Sequence, residues 1–259
     1  MRVSVPRVSK VKFFKNQVFD VNNVKLGTLT VSRDKCGDYW CTIVVNDNKP
    51  QVSKTKICEE TAVGVDLGIK DYAILSDGTK YNNPKFLERE QKHLAVLQQC
   101  FAKTQKGSKC HEKARLKVAK LHRKIRNKRA DYLHKLSTDI IQRFDTICLE
   151  NLNITGMTQN HNLAMAINSV AWSEFIRQLK YKSAWHEKNV VLIGKFEPSS
   201  KKCSVCGYIN KELTLNDREW IYPECGEQHD RDINAAKNIK CFGLHPQALI
   251  SIEQKIKKY

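Results

Sequence analysis

Two groups of side chains in this sequence have the types and spacing to do chemistry. The first is Cys203-Ser-Val-Cys206-Gly followed by Tyr222-Pro-Glu-Cys225-Gly. Fifteen residues separate Cys206 from Tyr222, an interval that a two-knuckle zinc ribbon uses. Structural Zn2+ sites take four ligands, yet Tyr222 stands where the second pair needs a cysteine. A phenol is a poor replacement, because its oxygen lies far from the backbone and it titrates near 10. Three ligands remain in frame, Cys203, Cys206 and Cys225, and His229 is near enough in sequence to be a fourth. A loop without metal stays open as an alternative; a redox pair fits less well, since no βαβ pattern surrounds the Cys-x-x-Cys. Metal binding supplies much of the folding free energy of small knuckles. A missing thiolate therefore predicts substoichiometric zinc, a loosened segment over 203–228, and restoration by Tyr222→Cys.

The second group is three carboxylates distant in the chain. Asp66 follows the apolar run Ala62-Val-Gly-Val, Glu150 ends Thr146-Ile-Cys-Leu, and Asp232 begins a helical segment. Each sits where an α/β fold exposes a side chain at the end of an element. Converging carboxylates repel unless a divalent cation neutralises them, and Mg2+ prefers oxygen ligands. Two such ions about 4 Å apart align a water for in-line attack on phosphorus and stabilise the leaving 3′ oxygen. Plainer roles stay open for each acid: a turn at Asp66, a strand end at Glu150, a helix N-cap at Asp232.

The elements that must position these groups are legible from periodicity. Residues 1–60 alternate apolar and polar, as in Val24-Lys-Leu-Gly-Thr-Leu-Thr-Val-Ser with a slip at Gly27-Thr28, and Tyr39-Trp-Cys-Thr-Ile-Val-Val, with turns at Arg33-Asp34 and Asn46-Asp-Asn. That predicts a small antiparallel β segment. A buried strand and hairpin follow over Thr61–Tyr81. From Asn83-Pro84 to about Phe144 the period is helical, interrupted at Lys106-Gly-Ser-Lys, which predicts a hairpin of two helices. The second carries an apolar stripe through Ala114, Val118, Leu121, Ile125, Tyr132, Leu136 and Ile140. A strand to Glu150, a helix over about 163–187, a strand at Val190–Phe196 and a short helix after Asp230 complete an α/β core with insertions.

The charge names a partner class. Lys and Arg number 45 against 27 Asp and Glu, a net +18, which suits a polyanion. Between Lys109 and Arg129 there are ten Lys or Arg and one acid, so pairing along the helix cannot absorb the charge. Lys117, Lys120, Arg123, Lys124 and Arg126, with Lys180 and Lys182, are candidates for nucleic-acid backbone contacts; a solvated basic face is the alternative. Trp172, Phe175 and Tyr181 could stack on bases, but aromatics at helical spacing fit a core equally. No apolar run approaches 18 residues and Met1-Arg-Val-Ser-Val-Pro lacks a signal-peptide core, which predicts a soluble, cytoplasmic, nucleoid-associated protein without membrane partners. Ten scattered cysteines fit a reducing compartment.

Taken in order, these residues resemble the TnpB (OrfB) proteins of insertion sequences, RNA-guided DNA nucleases related to type V CRISPR nucleases. The resemblance is carried by Gly64-Val-Asp66-Leu-Gly68, Asn83-Pro84-Lys-Phe86 through Ala114-Arg-Leu-Lys-Val-Ala-Lys-Leu-His122, Asp131-Tyr-Leu-His-Lys-Leu-Ser137, Glu150-Asn-Leu, Pro198-Ser-Ser-Lys, Cys203-Ser-x-Cys206-Gly and Asp230-Arg-Asp232-x-Asn-Ala-Ala. It implies an RNase H-like (RuvC) core over 61–202 and 229–259, with a helical hairpin inserted at about 84–144. It also implies a zinc ribbon over 203–228 and a partial β-barrel-like, wedge-type domain over 1–60. It further implies Mg2+ held by Asp66, Glu150 and Asp232, with Asp230 the alternative to Asp232. The partners it implies are DNA and a guide RNA from the protein's own element, whose base pairing picks the target. Two departures stand out. Met1 falls inside the β domain, where relatives carry a longer preceding segment, and Tyr222 replaces the third ribbon cysteine. A cleavage-inactive nucleic-acid-binding protein or a decaying transposon remnant is the alternative these departures leave open.

Overall fold

The alternating segments near the start of the chain pair as antiparallel ribbons, β1 (Arg2–Val5) with β2 (Val8–Lys12) and β3 (Lys25–Arg33) with β4 (Tyr39–Asn46). The slip in alternation at Gly27-Thr28 becomes a register shift between Leu26 and Leu29. The turn at Asp34 is built by its own carboxylate, which accepts the amides of Cys36 (2.8 Å) and Asp38 (3.0 Å). The structure, a computed structural model, describes residues 2–5, 8–12, 24–46, 53–194, 197–213 and 217–245; the turn expected at Asn46-Asp-Asn lies mostly outside them.

The chain divides into two compact units, residues 1–52 with 93–124, and residues 53–92 with 125–259. The first holds β1 to β4, the end of one helix and the beginning of the next. In it Arg123 pairs with Asp34 (2.9 Å) and Asp38, and Arg115 donates to the Lys35 carbonyl (3.0 Å).

The second unit is a mixed five-stranded sheet. It comprises β5 (Ala62–Leu67), β6 (Asp71–Leu75) and β7 (Lys80–Asn82), then, beyond the helices α1 (Phe86–Ala102) and α2 (Lys109–Arg143), β8 (Thr146–Leu149). Next come α3 (Ile154–Met157), α4 (His161–Val170), α5 (Trp172–Trp185) and β9 (Asn189–Leu192). The strand order is β7-β6-β5-β8-β9; β5, β6 and β7 are antiparallel, while β5, β8 and β9 run parallel. Residue 53 onward belongs with this unit, earlier than the change of pattern at 61. The Thr55 amide reaches the Glu187 carbonyl (2.7 Å) and Asn189 Nδ2 donates to the Thr55 carbonyl (2.8 Å).

Both faces of β5, β6 and β8 are covered, which is why these three strands read as nearly continuous apolar runs. Ile147 and Leu149 join a core with Leu133, Leu136, Ile140, Phe175 and Leu179, whereas Cys148 between them packs with Ile239 and Phe242. The helix expected over 163–187 is instead two, broken at Ala171, whose φ of 54° is left-handed. Val170 and Trp172, either side of the break, are both buried, so tertiary packing overrides the local period. Two short strands, β10 (Glu219–Ile221) and β11 (Gln228–Asp230), form a hairpin ahead of α6 (Arg231–Leu244). Among the described residues no helix is long and apolar enough to cross a membrane.

Candidate active site and thiolate cluster

Asp66 is the only position of β5 that is not buried; its neighbours on the strand fix it in the sheet while its carboxyl reaches an open cleft of about 620 Å³. Glu150, the first residue past β8, and Asp232, in the first turn of α6, line the same cleft. Burial, then the charges of Glu150 and Asp232, push the Asp66 carboxyl up from its ordinary 3.8 to about 7. The three acids expected to meet are thus neighbours electrostatically. Among the described residues they do not form a group whose ligand atoms all lie within 4.8 Å of one another.

What brings α6 against the sheet is a pair of glycines. A Cβ on Gly64 would stand 1.9 Å from the Ala236 carbonyl oxygen and 2.6 Å from the Lys240 amide nitrogen. At Gly243 a Cβ would meet Cys148 Sγ at 2.4 Å. Only bare backbone at β5 and at the end of α6 allows this approach, and it sets Asp232 over the ends of β5 and β8. Asp230, the alternative third acid, does not line the cleft. It caps α6, accepting the amides of Asp232 and Ile233, and pairs with Lys80 at 2.6 Å. The N-cap role considered for Asp232 therefore belongs to Asp230.

Further residues at this site and behind it carry roles that the sequence pattern does not assign. Ser199 Oγ donates to Glu150 Oε1 at 2.5 Å. Asn238, on the buried face of α6, donates to the carbonyls of Ser199 (2.7 Å) and Lys202 (2.6 Å). Arg218 reaches Asp232 at 3.2 Å, and Lys70, Lys85 and Arg231 add positive charge to the cleft lining. The signal available was Asn234 and Asn238, one helical turn apart in Asn234-Ala-Ala-Lys-Asn238. Both face the same segment, for Asn234 donates to the Lys202 carbonyl (2.7 Å) and accepts the Ser204 amide (2.9 Å).

The thiolate cluster is built beside this clamp. Cys203, Cys206 and Cys225 offer sulfurs all within 4.8 Å of one another, a soft donor set that fits zinc. Burial opposes ionisation of Cys203, yet the amides of Cys206 and Val205, at 3.5 and 3.4 Å from its sulfur, hold the thiol below its ordinary value. Tyr222 is fully buried, and its hydroxyl donates to the Lys201 carbonyl at 3.0 Å.

The basic candidates separate. Lys117, Lys120, Lys124, Arg126 and Lys180 are exposed. Arg123 is held by Asp34 and Asp38, so it braces the β3–β4 turn. Lys182 is a correction: it is 8 % exposed and donates to Ser137 Oγ (2.8 Å), Thr138 Oγ1 (2.7 Å) and the His134 carbonyl (2.8 Å), out of reach of a phosphate. Phe175 and Trp172 are likewise core.

Comparison with known proteins gives matches along most of the chain. Residues 43–161 match the OrfB family model of the IS605 type, described as "Probable transposase", and residues 172–239 match the family "Cas12f1-like, TNB domain". A protein of Streptomyces pristinaespiralis named "Putative RNA-guided DNA endonuclease" is 41% identical over 221 residues, covering 85% of this chain and 54% of its own. "Putative RNA-guided DNA endonuclease InsQ" of Escherichia coli K12 is 29% identical over 230 residues, 83% of this chain and 56% of its own. The chain thus spans about half the length of the curated relatives it matches. In fold it is similar to the protein of a cryo-EM Cas12f1-sgRNA-target DNA complex, with a TM-score of 0.52 at 15% identity, covering 82% of this chain and 55% of that one.

Proposed function

We propose, on the premise that the chain belongs to the OrfB (TnpB) family of insertion-sequence proteins, that it is an RNA-guided DNA endonuclease cutting by metal-dependent phosphodiester hydrolysis. The strand order β7-β6-β5-β8-β9, antiparallel then parallel, supports an RNase H-like (RuvC) core, with the β1–β4 region as a wedge-type domain. The observation that carries the reading is the shared cleft of Asp66, Glu150 and Asp232, with the Asp66 carboxyl raised to about 7 by its surroundings.

The donors of this cleft are oxygens, which fits a hard cation, and Asp66, Glu150 and Asp232 are the residues that would hold Mg2+. When bound, such ions supply activation of water and charge stabilisation at the leaving 3′ oxygen. Ser199 orients Glu150 by donating to Oε1 at 2.5 Å. Lys70, Lys85, Arg218 and Arg231 offset phosphate charge along its walls. Lys117, Lys120, Lys124, Arg126 and Lys180 track nucleic-acid backbone, while sequence is read by the base pairing of a guide RNA from the protein's own element. Cys203, Cys206 and Cys225 hold zinc in the ribbon.

The test is cleavage of a guide-matched duplex by the chain expressed with RNA from its own locus. Cutting that needs Mg2+ and is lost in Asp66→Ala is expected. Guide-dependent binding with no cutting would reassign the chain as a binding module, and neither activity would mark a remnant.

A further inference from the structure

We infer that His229 is the fourth zinc ligand of the ribbon, so that three cysteines and one histidine close the site around the position Tyr222 leaves without a sulfur. The inference rests on the reading that Cys203, Cys206 and Cys225 hold zinc, and it replaces the expectation of an incomplete site.

The first support is the pleat of the β10–β11 hairpin. Trp220 pairs directly with His229, and Tyr222 stands two residues beyond Trp220. Paired residues project to the same side. Tyr222 follows β10 directly and its amide extends the pairing by donating to the Glu227 carbonyl at 3.0 Å, so His229 and position 222 are held beside one another. The ring contacts agree: the rings of Tyr222 and His229 meet edge-on with centroids 5.1 Å apart, and Trp220 meets Tyr222 at 5.6 Å.

The second support is where the imidazole ends. His229 is 5 % exposed, and its Nε2 lies 3.1 Å from Cys203 Sγ, while it stands outside the set of sulfurs of Cys203, Cys206 and Cys225 that all lie within 4.8 Å of one another, so binding a metal would draw the ring further in. A buried imidazole nitrogen needs a polar partner, and here that partner is a thiol of the cluster.

The third support is that Tyr222 is already committed elsewhere. Its hydroxyl donates to the Lys201 carbonyl at 3.0 Å, and its ring is buried among Tyr208, Trp220 and His229. It fills the volume around the missing thiolate and braces the imidazole. Replacing it by cysteine would remove that brace.

An imidazole that only donates a hydrogen bond to the Cys203 thiolate would lie at the same distance, and the test must separate the two roles. The full chain is purified, its zinc measured by elemental analysis after dialysis against a weak chelator, and the metal exchanged for Co2+. A full complement of zinc and a tetrahedral cobalt spectrum are expected. His229→Ala should weaken zinc by more than about 100-fold, beyond the 10–100-fold that loss of an outer hydrogen-bond partner costs. His229→Cys should restore binding and add thiolate-to-cobalt charge transfer, while Tyr222→Phe should keep zinc with the original spectrum. His229→Ala binding within about 100-fold of the unmodified chain with an unchanged band pattern would give the imidazole an outer role and overturn the inference. So would a zinc-poor chain that Tyr222→Cys alone fills. None of these readouts involves DNA cleavage, so the failure of the nuclease reading would leave them intact.

Discussion

The acid cleft and the thiolate cluster lie on either side of one helix start, yet they are assembled in opposite ways. Asp66 lies in β5, Glu150 follows β8 and Asp232 opens α6, far apart in the chain, and they share one cleft because α6 packs against bare backbone at Gly64. The thiolates come from short turns within 203–229, where each ligand is placed by local hydrogen bonds such as Cys206 N to Cys203 Sγ. A site built by long-range packing should fail all at once when that packing is disturbed. One built from turns should lose function in increments.

The sharpest break in this comparison is a pair of glycine variants. Gly64→Ala forces a Cβ to within 1.9 Å of a backbone oxygen and should cost more than about 4 kcal/mol, with cleavage lost. Gly226→Ala, in the ribbon at φ 70° with open space around it, should cost only about 1–2 kcal/mol from the left-handed backbone. Urea unfolding of both proteins measures the contrast; equal costs would erase it.

The second prediction concerns pH. With its folded value raised to about 7 from 3.8, the Asp66 carboxyl is protonated in the folded state over a range where the unfolded chain has lost the proton. The penalty is absent below about pH 4, grows as pH rises, and is complete above about pH 7. In metal-free protein Asp66→Asn should therefore raise stability at pH 8 by about 2–4 kcal/mol and leave it unchanged at pH 4. A melting-temperature series across this range checks the sign.

Smaller effects sharpen the link between the two sites. Asn238→Ala frees the Ser199 carbonyl and leaves the Lys202 carbonyl to Asn234 alone, and should cost about 2 kcal/mol, slowing cleavage and hastening zinc release together. Lys182→Met should likewise cost about 2 kcal/mol, because it leaves buried Ser137 without one partner, and should leave the salt dependence of nucleic-acid binding unchanged. Lys180→Ala should do the reverse, shifting stability by less than about 0.5 kcal/mol while lowering the salt slope by about 1.

Much of this arrangement was legible in the sequence, for reasons that also explain what was not. Alternation located β3 and β4, and even the slip at Gly27 that became a register shift. Dense apolar runs located β5 and β8, and so put Asp66 and Glu150 at strand ends. Those signals are local. The role of Gly64 was hidden because it depends on a helix more than one hundred and sixty residues later. The break at Ala171 carries no glycine or proline to announce it. The burial of Lys182 is legible too: Phe175, Leu179 and Lys182 follow helical spacing, which places the lysine on the buried stripe with the ammonium reaching α2. Arg123 could not be separated from its exposed neighbours by charge counting, since its partners Asp34 and Asp38 come from a distant turn.

The two asparagines of α6 have an engineering consequence. Because Asn234 and Asn238 hold Ser199, Lys202 and Ser204, the helix and the segment ahead of the ribbon share one interlocked seam. A ribbon borrowed from a relative would seat poorly if exchanged at its cysteines alone. The transplantable cassette runs from Ser199 through Asn238, and chimeras cut inside those bounds would inherit a mismatched joint.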